Sequence, residues 1–388
     1  MRTTVRLGVG VLALAMLGGC STLSSLNPFA SKPPPRNPPA ELVAFTPSQK
    51  LTTARCASIG RAGTHLFAPA VADGSVFVAA ANGTLARLDL SNGSQQWRVE
   101  AGMPLTAGVA TDGNTVVVGA ADGVLLAFDA SGKRRWKAQA SSEILSAPAL
   151  AGGLVIVRSM DNRIAAFDVE SGARRWVVQR NAPALTLRAA PGIAVSGSTA
   201  YVALPGGRLL ALATINGGPR WEVAIGDPRG ATELERIADV SGMPAVAGDE
   251  VCAVAYQGRV GCVDAATGAG RWAKPFSSTV GVGAERGYLY AVDEAAAVHA
   301  FTLDRGTSVW RNTELANRGL SAPVPFGATV AVGDRFGYVH LLSRDDGAFV
   351  ARTATDGSPI RGTPVVAGSN LIVQTQAGAV LSLTAGQE

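Results

Sequence analysis

The side chains in this sequence that could do chemistry are few and scattered. His65, His299 and His340 lie far apart, and none has a second His or Cys at metal-ligand spacing. His299 and His340 fall in strand-like stretches, where a satisfied core or surface histidine is the simpler reading. A GxSxG elbow, a Walker loop and a GxGxxG fingerprint are all missing, so no residue set presents itself as catalytic, cofactor-binding or metal-binding. The four cysteines are Cys20, Cys56, Cys252 and Cys262, with no C-x-x-C pair to suggest a redox dithiol or a zinc site. Cys252 and Cys262 flank the turn Tyr256-Gln257-Gly258-Arg259, which brings them close across two strands. A structural disulfide and two unpaired, half-buried thiols both fit that placement. Cys56 has no evident partner.

Cys20 has a different setting. Residues 1–19 begin with Arg2 and Arg6 and continue through an apolar run from Leu7 to Leu17, which is too short to span a bilayer and reads as an export signal. The ending Leu17-Gly18-Gly19-Cys20 resembles a bacterial lipobox, which implies that Cys20 is acylated and becomes the mature N-terminus. Ser21 follows in place of Asp, and by resemblance to enterobacterial lipoproteins this favours the outer membrane, with the protein on its periplasmic face. Residues 20–45, with Pro33-Pro34-Pro35 and Pro38-Pro39, cannot build a core and read as a lipidated flexible tether. Residues 46–388 are left for the folded domain.

The chain as a whole is apolar enough to fold, with 47% hydrophobic and 16% charged residues, and its 46 glycines point to many tight turns. The net charge of +5 is spread singly along the chain, which argues against nucleic-acid binding. All 6 tryptophans close a Gly-x-x-x-Trp pattern: Gly93/Trp97, Gly132/Trp136, Gly172/Trp176, Gly217/Trp221, Gly268/Trp272 and Gly306/Trp310. Gly347/Ala351 keeps the spacing without the ring, and Pro364 to Thr384 is an eighth copy that ends before the slot. Each copy holds two apolar runs around a polar turn, as in Leu154–Val157 and Ile164–Phe167, followed by Asp168, Gly172 and Trp176. A period of about 40 residues with several short strands per copy predicts an all-β, eight-bladed β-propeller of four-stranded antiparallel blades. The last copy lacks its outer strand, so the segment around Gln49 to Ile59 is expected to supply it and close the ring. The pattern G-x-[LI]-x-A-[LF]-D followed by G-x-x-x-W resembles the pyrroloquinoline-quinone (PQQ) type repeat, which implies that each Trp packs structurally between neighbouring blades.

The copies differ mainly in the connections between them. These lengthen after Trp176, up to Pro191, and again after Trp221, up to Pro244. Connections from one blade to the next emerge on a single face, and insertions on one face of a repeat array mark its binding surface. The first insertion carries Leu185-Thr186-Leu187-Arg188, either a cap on the core between blades or an exposed apolar patch with a cation, the composition of an interface hot spot. The second holds Gly230 to Ser241, with Asp239 placed to pair with Arg188 or to face a partner's cation.

The lipobox, the tether, the eight repeats and the phrases Leu185-Thr-Leu-Arg188, Ala231-Thr-Glu-Leu-Glu-Arg-Ile-Ala-Asp239-Val and Val332-Gly-Asp-Arg-Phe-Gly-Tyr-Val-His-Leu341 together resemble the BamB family of outer-membrane assembly lipoproteins. The resemblance implies a non-enzymatic scaffold of the β-barrel assembly machinery, without a cofactor. It binds the periplasmic POTRA domains of BamA and other Bam subunits, handles nascent outer-membrane proteins, and supports insertion of β-barrels. Leu185, Leu187, Arg188 and Asp239 match its partner-contacting positions, and a second acidic position falls on Ser241. PQQ-dependent periplasmic dehydrogenases share the repeat and form the alternative, but they need a calcium site, a catalytic Asp and commonly a vicinal cysteine pair. This chain has no adjacent cysteines.

Overall fold

A computed structural model describes residues 36–188 and 190–387. The signal segment 1–19, Cys20 and most of the expected tether lie outside them. The described chain forms eight four-stranded antiparallel sheets. Seven are built from consecutive strands: blade 1 (70–100), blade 2 (105–139), blade 3 (149–179), blade 4 (193–224), blade 5 (240–276), blade 6 (283–312) and blade 7 (324–354). Blade 8 joins Val365–Ala367, Asn370–Gln374 and Ala379–Gln387 to the N-terminal strand Gln49–Ser58, which pairs antiparallel with Ala379–Gln387 as expected for ring closure.

The apolar runs are the second and third strands of each blade, and they are continuous because both of their faces are covered. Every residue of Thr115–Ala120, Leu154–Arg158 and Thr199–Leu204 is buried, a pattern that a one-sided sheet would show only at alternate positions. The buried side chains sort into eight clusters, one in each seam between neighbouring blades, so each blade is stable only against its neighbours.

The repeated Asp, Gly and Trp make one device. Asp168 Oδ1 accepts the backbone N–H groups of Glu170 and Ser171 and closes the turn into the outer strand. Gly172 follows at φ 70°, in the left-handed region, and a Cβ there would lie 2.7 Å from the Trp136 ring of the preceding blade. Trp136 in turn donates its indole N–H to Val169 O of blade 3 at 2.8 Å. The same indole-to-carbonyl bond runs from Trp97 to Ala130, Trp176 to Thr214, Trp221 to Ala265, Trp272 to Leu303 and Trp310 to Arg344. Each Trp therefore staples its blade to the Gly turn of the next, which explains the vacancy at Ala351. Blade 8 receives its outer strand from Gln49–Ser58 and has no such turn to be stapled.

A different contact braces the region of blades 6 and 7. The expected tether extends through Phe45, yet the chain is packed on the propeller from Ala40 onward, because its backbone and apolar side chains find partners there. Ala40 N donates to Ala316 O (2.8 Å) and Ser48 N to Val350 O (3.0 Å), Leu42 packs against the core of blades 6 and 7, and Phe45 stacks on Phe349. Arg318 and Arg352 donate to the carbonyls of Ala40 and Val43, both at 3.0 Å. Behind them, Asp334 Oδ2 accepts Arg318 Nε at 2.7 Å and meets His340 Nε2 at 3.1 Å. His340 Nδ1 accepts Arg352 Nε at 3.1 Å, which leaves the proton on Nε2 to be donated to Asp334. The phrase Val332–Leu341 thus supplies the carboxylate and the imidazole that fasten this strap.

Candidate functional site

In an antiparallel blade the fourth strand ends on the side where the first begins, and the turn between second and third strands lies on that side too. The two inserted connections therefore share one face with the turns at Ser159–Asn162 and Pro205–Gly207. At its axis is a depression of about 820 Å³ to which six connections contribute. Leu66, Leu145, Leu187 and Leu320 give it an apolar wall, and Arg188, Arg335 and Arg361 give it positive charge with no carboxylate among its lining residues.

Leu185, Leu187 and Arg188 lie on this face with different exposures. Leu185 is 43% exposed, Leu187 is half-buried and turned to the axial depression, and Arg188 projects into solvent with its Nη2 2.7 Å from Glu143 Oε2. With the Arg188 side chain 67% exposed, this ion pair contributes little to folding. The leucines thus cap no core seam in full; they offer an apolar edge beside a cation.

Asp239 follows neither course expected from the sequence. It does not pair with Arg188 and does not face solvent, being only 4% exposed. Its Oδ2 accepts the Leu187 amide at 2.6 Å and its Oδ1 the Gly206 amide at 2.8 Å. Irregular backbone at this depth has no ladder to satisfy it, and the carboxylate takes that place. Burial pushes the Asp239 carboxyl above its usual range, against the pull of the two amides and of the Arg158 charge. Ser241, at the second acidic position of the resemblance, is also buried and donates to Ser278 O at 2.7 Å.

Sequence reasoning passed over Leu234 and Met243, which are 68% and 55% exposed in and after the second insertion. A signal for Leu234 was present in Thr232-x-x-Glu235, the pattern by which a Thr and a Glu cap each other's backbone amides. Glu235 Oε2 accepts the Ala231 and Thr232 amides, and the Glu235 amide donates to Thr232 Oγ1. The loop is therefore braced internally and holds its leucine out in water.

Elsewhere, Cys252 and Cys262 are cross-strand partners in blade 5 and form a disulfide, which settles the two possibilities left open by their spacing. Among the described residues, the one group of His, Cys, Asp or Glu with ligand atoms within 4.8 Å of one another is Glu250, Cys252 and Cys262. Its sulfurs are bonded to each other, so it offers no thiolate to a metal. His299 is engaged with Asp293 at 2.9 Å and His340 with the strap, while His65 lines the axial depression.

A family model described as outer membrane protein assembly factor BamB matches residues 42–103, 81–312 and 296–387. The outer membrane protein assembly factor BamB of Bordetella pertussis is 42% identical over 97% of this chain and 96% of its own length. That of Burkholderia pseudomallei is 41% identical over 89% and 91% respectively. The crystal structure of BamB from Moraxella catarrhalis superposes with a TM-score of 0.80 and 27% identity, covering 86% of this chain and all of that one. A quinohemoprotein alcohol dehydrogenase from Comamonas testosteroni reaches a TM-score of 0.68 at 15% identity, a likeness of fold alone. With the eight blades and the inserted connections on one face, these matches place the chain in the BamB family of outer membrane protein assembly factors.

Proposed function

We propose that this chain is a non-enzymatic scaffold of the outer-membrane β-barrel assembly machinery, docking the periplasmic POTRA domains of a BamA-type insertase through Leu185, Leu187 and Arg188. The observation that carries the reading is an apolar edge and an Arg projecting from a connection whose backbone is fixed by the buried Asp239. Fixing the loop in advance lowers the ordering cost of association, and a Leu and Arg pair beside a depression is the composition of a hot spot. The arginines around the axis favour an acidic docking partner. Leu234 and Met243 are further exposed apolar side chains, on the neighbouring connection and strand.

Acylated Cys20 would hold the propeller at the periplasmic face of the outer membrane after removal of residues 1–19. Because the strap is packed from Ala40, the tether proposed for residues 20–45 would end before that residue. An oxidising compartment agrees with the Cys252–Cys262 disulfide. Leu187→Ala and Arg188→Ala should abolish co-purification with the insertase while leaving the melting temperature unchanged. Retained co-purification would sink the reading.

A further inference from the structure

The connection bearing Leu187 and Arg188 runs through residues 180–188 without strand or helix. Such backbone keeps one shape only where its polar groups find fixed partners. It is held at two points. At its start, Arg180 N donates to Asn162 O and Asn162 Nδ2 donates to Asn181 O, both at 3.1 Å. At its end, the Leu187 amide is held by Asp239, which also binds the Gly206 amide of blade 4.

Arg158 joins the two points. Its Nη1 donates to Asn162 Oδ1 at 3.2 Å, and its charge acts on Asp239 across a small crevice lined by Arg158, Thr186, Leu187, Pro205 and Asp239. Burial lowers the guanidinium to about 10, with the Asp239 charge opposing the shift. Arg158, Asn162 and Asp239 are 4%, 1% and 4% exposed, so a docked partner would reach none of them. Asn162 sits at φ 63°, a left-handed conformation that Asn tolerates better than most residues, so its identity serves backbone and side chain together.

We propose that Arg158 and Asn162, together with Asp239, are positioning residues for docking: they touch no partner and fix the backbone from which Leu187 and Arg188 project. The proposal rests on the docking reading above and gives Asp239 an indirect role in it. A buried charged cluster is costly to keep, and holding one loop geometry is a recognised return on that cost.

The test uses the full chain. Asn162→Gly retains the left-handed backbone and removes both side-chain bonds, and Asp239→Asn removes the charge while keeping the volume. Hydrogen–deuterium exchange of the peptide covering 181–188 is measured without any partner. Affinity for a purified POTRA-domain fragment is measured beside Arg188→Ala, alone and combined. Both variants should speed exchange of that peptide about tenfold or more, with the melting temperature little changed. They should weaken affinity about tenfold, and this loss should largely disappear in the Arg188→Ala background because both changes act through one loop. Unchanged exchange, loss that adds fully to that of Arg188→Ala, or unfolding of both variants would overturn the proposal. If Arg188→Ala alone leaves affinity intact, the docking reading falls, while the exchange result still decides whether these residues hold the loop.

Discussion

Two irregular segments lie on this propeller, and buried charge holds both to opposite ends. Over blades 3 and 4, Asp239 and Asn162 grip the backbone of residues 181–187 from below, leaving Leu185 and Arg188 facing water. Over blades 6 and 7, Arg318 and Arg352 grip the carbonyls of Ala40 and Val43, and the strap turns Leu42 and Phe45 inward, where Arg352 stacks on Phe45 and Phe349. In both places the polar groups satisfy backbone that no ladder reaches. Only the direction of the side chains differs: the strap buries them and adds to stability, whereas the connection exposes them and adds a surface.

The largest break in this comparison is expected at Asp334, which is fully buried and holds Arg318, His340 and the amides of Phe336 and Tyr338. Asp334→Ala should cost about 3–5 kcal/mol in urea unfolding, since it leaves buried cationic and polar groups without their acceptor. Affinity for the POTRA fragment should be unaffected in the folded fraction. Arg188→Ala should do the reverse, with affinity down about thirtyfold and stability changed by under about 0.5 kcal/mol. A large stability loss from Arg188→Ala would erase the distinction between the two segments. Phe45→Ala should come next, costing about 1–2 kcal/mol through the lost stack on Phe349, at a ring spacing of 5.3 Å.

The smallest effect separates the segments by pH. Burial pushes His340 below its usual 6.5, so the folded strap holds it neutral. The unfolded chain takes up a proton as pH falls below 6.5 and the folded one does not, so this stability is complete above 6.5 and is lost towards the folded value. Asp334, held below 3.8 by His340, the Tyr338 amide and Arg318, adds a further loss only in stronger acid. Asp239 runs oppositely: its raised value means that acid favours the folded form there. Between about pH 7 and pH 5, protection of the Ala40 amide relative to its intrinsic exchange rate should fall while that of residues 181–188 should not. His340→Gln should flatten the strap's response, and equal responses in both segments would remove the contrast.

The repeats were legible because their devices are local in sequence. Asp168, Gly172 and Trp176 form a fixed pattern since the turn that needs Asp and Gly is followed directly by the strand that carries Trp. Length differences between copies likewise pointed to the connection after Trp176. Harder to read was Asp239, whose acceptor role depends on amides at Leu187 and Gly206, far away in the chain. The strap was hidden for the same reason: a proline-rich stretch reads as a tether until Arg318 and Arg352 are seen to meet its carbonyls. Cys252 and Cys262 lay between these cases, near enough for a bond to be considered, but their bonding required the cross-strand register.

The sequence by itself determined the blade count, the closure by the N-terminal strand and the face on which the insertions emerge, because each follows from periodicity and strand direction. Only the tertiary structure decided which inserted residues look outward, which hold them, and that the chain from Ala40 packs on the propeller. Those outcomes depend on partners brought together from separate blades, and spacing along one chain carries no record of such meetings.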